Sequence, residues 1–124
     1  WLKVAGGHKA NLLVECLRPG DHVVEFGTYV GYASLLLLRR LRGLGGGGRI
    51  VSCEVDGTIA HVAREMVAWA GAEGEVAVRT GAAGDWLALA PGPAAGSGRA
   101  GLLGGSPADV LLLDHRGARY HEDL

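Results

Sequence analysis

The sequence has 124 residues and a formal net charge of −1 at pH 7, so it has the size of one small domain. A nearly neutral chain offers no electrostatic basis for binding nucleic acid or an anionic membrane, and no apolar run approaches the length of a membrane span. We therefore expect no nucleic-acid partner and no membrane span in this chain.

The first part of the chain alternates helix and strand patterns around one glycine-containing turn. Apolar residues at helical spacing predict an amphipathic helix over residues 8–18. His22–Phe26 is then predicted to be a strand, and residues 32–42 form a helix that is apolar almost all round. Gly27 and Gly31 supply the turn between them, because glycine adopts positive φ and lets backbone N–H groups approach a ligand.

The second part of the chain continues the same alternation. Residues 49–54 are predicted as a strand, and the following helix ends at Gly71, with Asp56 or Thr58 as its N-cap. Within that helix, the side chains of Met66 and Trp69 are expected to pack against the sheet. The remaining predicted elements are a strand over 75–79, a short helix over 85–90, a flexible loop over 91–107 and a buried strand over 108–115 that ends in the polar pair Asp114–His115.

The resulting order, αβαβαβαβ, predicts an α/β fold with a parallel sheet and helices on both of its faces. In such a sheet the carboxyl ends of all strands lie at the same edge, which is where ligands bind in open α/β folds. Glu25, Glu54 and the pair Asp114–His115 follow or end three of the predicted strands. We expect these polar residues to meet at that edge.

The glycine turn has the spacing Gly27-x-x-x-Gly31, which differs from the G-x-G-x-x-G of dinucleotide sites and disfavours a nucleotide-dependent oxidoreductase. A helix N-terminus after the turn suits a small carboxylate, and Glu25 suits a cationic group such as an α-ammonium. Glu54 ends the next strand, where a carboxylate can bind ribose hydroxyls. The pattern therefore favours a nucleoside that carries an amino-acid group.

These residues resemble the catechol O-methyltransferase family, whose members are class I enzymes that use S-adenosylmethionine. The segment Glu25-Phe26-Gly27-Thr28-Tyr29-Val30-Gly31-Tyr32 carries much of the resemblance, and residues 66–71, 81–83 and 113–115 follow in the same order. The resemblance implies a Rossmann-like methyltransferase fold, with residues 1–124 as part of that domain. It also implies Mg²⁺-dependent methyl transfer to a hydroxyl of a small-molecule catechol.

Residue by residue, the resemblance implies a cofactor site along the strand ends. Glu25 is implied to bind the methionine ammonium and Glu54 to bind both ribose hydroxyls. Val55 and His115 are implied to enclose the adenine, and Asp114 is implied to be a magnesium ligand. The other implied positions are Trp1 in the substrate pocket and, along the cofactor, Ala5, Gly27, Tyr29, Ala33, Gly81, Ala82, Ala83 and Asp114 itself.

Departures from the family pattern leave an alternative open. Gly117 stands where the family has its general-base lysine and Arg116 where it has a tryptophan, so the catalytic residues are unknown. Ala33 stands where the family has a serine that contacts the cofactor. Residues 25–29 and His115–Arg116 are more similar to the transmembrane O-methyltransferase branch, for which a role supporting mechanosensory hair cells is implied. The alternative is thus a catalytically weak family member that binds S-adenosylmethionine and acts through protein partners.

The ends and the cysteines of the chain complete the expectations. The chain begins with Trp1 and has Met66 as its only methionine, so we expect a domain truncated at both ends. Cys16 and Cys53 are the only cysteines, and free thiols in a reducing compartment are expected. We therefore expect a cytoplasmic location, with a membrane anchor before residue 1 left open.

Overall fold

The computed structural model describes residues 7–87 and 107–114, and it confirms the predicted alternation of helices and strands. The predicted loop over 91–107 falls outside these residues apart from its last position. None of the described helices is long and apolar enough to cross a membrane. The elements are α1 (Gly7–Glu15), β1 (His22–Phe26), α2 (Tyr32–Gly43), β2 (Arg49–Glu54), α3 (Gly57–Trp69), β3 (Val76–Thr80), α4 (Ala83–Leu87) and β4 (Val110–Leu113).

The strands form one parallel sheet in the order β3-β2-β1-β4, with β1 at its centre. On one side β1 pairs with β2, where Glu25 is opposite Ser52. On the other side it pairs with β4, where Glu25 is opposite Leu112. The chain order reverses between β1 and β4, and in doubly wound α/β folds this switch point opens a crevice at the carboxyl ends of the strands.

Side chains alternate along β1 between two apolar layers, as the two-residue period of a strand requires. Val23 lies in a buried cluster with Ile50 of β2 and with apolar side chains of α2 and α3. Val24 and Phe26 point to the opposite face, where Trp86 of α4 packs against them. Helices therefore cover both faces of the sheet, which confirms the predicted fold class. Glu25 lies on the same face of β1 as Val23, because the two residues are two positions apart.

The N-terminus of α3 is capped as predicted, but its exposed face differs from the prediction. Asp56 is the N-cap, and its side chain accepts hydrogen bonds from the backbone N–H groups of Thr58 at 2.8 Å and Ile59 at 3.1 Å. The expectation that Met66 and Trp69 pack against the sheet is wrong, because they are 39% and 83% exposed. The helix buries a narrow stripe of small residues instead, which consists of Ala60, Ala63 and Val67.

Gly48, just before β2, occupies a place that no side chain fits. A Cβ atom there would lie 2.6 Å from the carbonyl oxygen of Asp21 and 2.9 Å from a methyl carbon of Leu41. The first of these atoms belongs to the backbone and the second to the buried core. The close approach of these segments therefore depends on glycine at this position.

We predict that Gly48→Ala lowers the free energy of unfolding by about 1–3 kcal/mol, because the added methyl group overpacks a buried site. Gly43→Ala is the matched control, since a Cβ at the end of α2 would meet no atom within 4 Å. Urea denaturation of the full-length protein measures both variants. Equal stability of the two variants would contradict the predicted clash.

Candidate functional site

The carboxyl ends of the strands meet at one edge, as the sequence predicts. The backbone N–H of Asp114 donates to the carbonyl oxygen of Phe26 at 2.9 Å, which joins the end of β4 to the end of β1. Likewise, the N–H of Gly81 donates to the carbonyl oxygen of Glu54 at 2.9 Å, which joins the residue after β3 to the end of β2. Glu25, Glu54 and Asp114 are therefore brought to the same edge of the sheet.

The turn between β1 and α2 is held by the carboxylate of Glu54. Gly27 and Gly31 have φ values of 97° and 84°, and Tyr29 between them has φ 49°, the left-handed region that a non-glycine residue seldom occupies. The N–H of Tyr29 donates to Glu54 Oε2 at 2.9 Å, and the N–H of Asp56 donates to Oε1 at 3.1 Å. One side chain thus fixes both the turn after β1 and the loop after β2.

A second carboxylate, that of Glu25, lies completely buried beneath this turn. Ser34, in the first turn of α2, donates a hydrogen bond from Oγ to Glu25 Oε2, and Ser52 of β2 donates to the same oxygen at 2.5 Å. The hydroxyl of Thr28 lies 2.6 Å from Ser52 Oγ. Glu25 Oε1 is also buried but has no hydrogen-bond partner within the described part of the chain.

Burial raises the pKa of Glu25 from about 4.5 to about 7, because the apolar surroundings penalise the charged form. Hydrogen bonds from Ser34 and Ser52 oppose this shift, and the nearby carboxylates of Asp114 and Glu54 add to it. A cation placed at Oε1 would favour the ionised form and satisfy the unpaired oxygen. The arrangement is therefore suited to a single cationic hydrogen-bond donor.

Asp114, the predicted magnesium ligand, forms an ion pair with Lys9 of α1, whose Nζ lies 2.7 Å from Oδ1. Across residues 7–87 and 107–114, no group of three or more histidine, cysteine, aspartate or glutamate side chains is arranged to hold a metal ion. Magnesium usually takes six oxygen ligands, several of them water, around one or two carboxylates. The described donor set therefore does not complete a magnesium site, and the role of Asp114 stays a prediction.

An apolar surface follows Glu54 at the same edge. Val55 is 73% exposed, which is unusual for a valine directly after a central strand. Beside it, Gly81 has φ 137°, and a Cβ there would lie 3.0 Å from the indole nitrogen of Trp86. The guanidinium of Arg79 lies 5.7 Å from the centre of the Trp86 ring. This surface is suited to a planar apolar group such as a nucleobase.

The predicted positions divide into those at this edge and those outside the described residues. Ala33 is buried in the first turn of α2, next to Ser34. Trp1, Ala5 and His115 lie outside the described residues, so their predicted roles are untested. The predicted positions that the structure describes at or beside the edge are Glu25, Gly27, Tyr29, Ala33, Glu54, Val55, Gly81, Ala82, Ala83 and Asp114.

Sequence analysis missed the two serines that bind Glu25. A serine at position 52 in an otherwise apolar strand is the signal that was available, because residues 50, 52 and 54 share one face. The pairing of Ser52 with Glu25 depends on the register of two strands, which the sequence does not specify. Ser34 lies in a run of apolar helix residues, and its partner depends on how α2 packs against β1.

Two kinds of known protein are similar to this chain. Catechol O-methyltransferase B of Danio rerio is 36% identical over 90 residues, which cover 70% of this chain and 33% of the relative. Among solved structures, the O-methyltransferase TomG of Streptomyces achromogenes, in complex with S-adenosylmethionine, superposes with a TM-score of 0.74 at 26% identity. That match covers 96% of this chain and 48% of TomG.

The O-methyltransferase of Bacillus cereus, in complex with S-adenosylhomocysteine, gives a TM-score of 0.65 at 28% identity, covering 91% of this chain and 46% of that one. The chain thus spans about a third of the length of the curated relative and about half of each of these two structures. Its fold is the Rossmann-like fold of class I methyltransferases. The family model described as O-methyltransferase matches residues 2–89, and the chain therefore belongs to the O-methyltransferase family.

Proposed function

We propose that this chain binds S-adenosylmethionine and belongs to an enzyme that transfers its methyl group to a hydroxyl of a small molecule. The observation that carries the proposal is the carboxylate of Glu25, which lies at the same edge as that of Glu54 and whose buried Oε1 accepts no hydrogen bond from residues 7–87 or 107–114. An amino-acid ammonium and a ribose are the two groups of the cofactor that need such carboxylates. The similar O-methyltransferase structures in complex with S-adenosylmethionine and S-adenosylhomocysteine support this choice of ligand.

The residues of this chain would bind and orient the cofactor, which when bound supplies an electrophilic methyl group on a sulfonium sulfur. Glu25 would accept a hydrogen bond from the ammonium at Oε1. Glu54 would accept hydrogen bonds from the ribose while it holds the turn through Tyr29. Val55 would cover one face of the adenine, and the start of α2 would favour the carboxylate of the methionine part.

We further propose a catechol as the acceptor and a requirement for Mg²⁺. The similarity to catechol O-methyltransferase B of Danio rerio supports this narrower proposal, although the aligned part is a third of that protein. Asp114 is the residue of the described chain that would contribute to a metal site, after release from Lys9.

We predict that the full-length protein methylates catechol when S-adenosylmethionine and Mg²⁺ are both present, and that a chelator removes the activity. Mass spectrometry of the product measures the turnover. Turnover that is indifferent to the chelator would contradict the metal requirement. Binding of S-adenosylmethionine without any turnover would instead favour the alternative, a family member that acts through protein partners.

We predict that Glu25→Gln has opposite effects on ligand binding and on stability. The affinity for S-adenosylhomocysteine should fall about 10- to 100-fold, because the ammonium loses its charged partner. The folded-state pKa of Glu25 is about 7, so its charge destabilises the fold progressively from pH 4.5 to about 7. Above that range the variant should gain about 1–3 kcal/mol in the free energy of unfolding, since it removes a buried charge.

Calorimetric titration and chemical denaturation of the full-length protein measure these two effects. Glu65→Gln, which removes an exposed carboxylate of α3, is the control and should change neither quantity. A Glu25→Gln variant that binds S-adenosylhomocysteine as tightly as the unaltered protein would refute the assigned role of this residue.

We predict that Glu54→Gln weakens both S-adenosylhomocysteine and 5′-methylthioadenosine about tenfold, because both ligands carry the ribose and the variant loses a charged acceptor. Methylthioadenosine lacks the amino-acid part, so Glu25→Gln should leave its affinity unchanged. Parallel titrations of the two ligands distinguish the two carboxylates. Equal losses for both ligands in both variants would show that the groups are not recognised separately.

A further inference from the structure

We propose that Ser34 and Ser52, supported by Thr28, are positioning residues that hold the Glu25 carboxylate so that Oε1 alone faces the ammonium of the ligand. The proposal rests on the proposed binding of S-adenosylmethionine and adds to it the residues that orient its charged partner. All four side chains of this cluster are buried, with exposed fractions of 0–2%. We call these four residues the Glu25 cluster.

A count of protons gives the hydrogen bonds of the Glu25 cluster a direction. Ser34 and Ser52 each have one hydroxyl proton, and an ionised carboxylate has none to give. Both serines therefore donate to Glu25 Oε2. When Glu25 is ionised, the proton of Ser52 is used in this way, so Thr28 is the donor in the 2.6 Å contact between Thr28 and Ser52.

The hydrogen bonds that the two serines donate both end on the same carboxylate oxygen of Glu25. Oε2 receives two hydrogen bonds, whereas Oε1 receives none from the described residues. A buried carboxylate oxygen without a partner is costly, and it is best satisfied by a charged donor. The Glu25 cluster thus leaves Oε1 to accept a hydrogen bond from a ligand group. The hydrogen bonds to Oε2 fix the orientation of the carboxylate.

Three residues of the Glu25 cluster lie on regular secondary structure. Glu25 and Ser52 are paired in register on adjacent strands, and Ser34 lies in the first turn of α2. Thr28 belongs to the turn that joins β1 to α2. Groups held on paired strands and a helix keep their geometry better than groups on loops. The serines therefore set the direction of the carboxylate before a ligand arrives.

Among the described residues, the charged groups that act on Glu25 are two carboxylates. Asp114 after β4 and Glu54 at the end of β2 both disfavour its ionised form. On β2, the thiol of Cys53 is neutral, since burial raises its pKa to about 11. On α2, the described residue that contacts Glu25 is Ser34, whose hydroxyl is also neutral. The hydroxyl donors of the two serines partly offset the burial and these like charges, and the pKa of Glu25 would be higher without them.

The test is the pH dependence of ligand binding by the full-length protein, measured calorimetrically with S-adenosylhomocysteine and with 5′-methylthioadenosine. For the unaltered protein, we expect the affinity for S-adenosylhomocysteine to fall as the pH drops through the pKa of Glu25, near 7. In Ser34→Ala this fall should begin about one pH unit higher, because the ionised carboxylate has lost a hydrogen bond. The affinity for methylthioadenosine should not change.

Further variants separate positioning from a general loss of structure. Ser52→Ala should shift the profile in the same direction, and Ser52→Thr, which keeps the hydroxyl, should restore it. Thr58→Ala removes an exposed hydroxyl and is the control that should leave the profile unchanged. Unaltered binding of methylthioadenosine by each variant reports that the fold and the nucleoside part of the site are intact.

The outcomes distinguish this inference from the proposed function. Binding of S-adenosylhomocysteine with the same midpoint in Ser34→Ala, Ser52→Ala and the unaltered protein would overturn the positioning role and leave the proposed function standing. Equal losses for both ligands in the serine variants would also overturn it, since they indicate structural damage. Failure of the unaltered protein to bind S-adenosylhomocysteine at any pH would overturn the proposed function and the inference together.

Discussion

The site depends on one carboxylate that is buried where β1 ends. Glu25 lies in the layer that otherwise contains the apolar core between the sheet and α2, and a charge in such a place needs hydrogen-bond donors. Ser34 and Ser52 supply them from the helix and the neighbouring strand. The fold therefore has to bring β1, β2 and α2 together at this point for the carboxylate to be tolerated.

The order of the strands places that carboxylate where a ligand can use it. Because β1 is central, its end is flanked by the ends of β2 and β4, which carry Glu54 and Asp114. The two glutamates differ sharply in their surroundings, since Glu25 is fully buried and Glu54 holds backbone N–H groups nearer the surface. Two chemically similar side chains are thereby suited to two different parts of one ligand.

The sequence was sufficient for the order of elements and for the edge at which the polar residues meet. Hydrophobic periodicity determines each helix and strand locally, and a parallel sheet brings Glu25, Glu54 and Asp114 to one side whatever the detailed packing. The sequence was not sufficient to predict which face of a helix packs against the sheet or which distant side chains pair. Trp69 is exposed because α3 uses its small residues to approach the sheet, and the Lys9–Asp114 pair joins residues 105 positions apart.

The two backbone hydrogen bonds that Glu54 accepts have a consequence for how a sugar would enter the site. A carboxylate offers about four lone-pair positions, and the N–H groups of Tyr29 and Asp56 occupy one on each oxygen. The lone-pair positions that no described residue fills would let the same group receive ribose hydroxyls without releasing the turn in which Tyr29 adopts positive φ. The conformational entropy of this turn is then lost during folding and not during binding. A nucleoside would therefore bind to a turn that is already ordered.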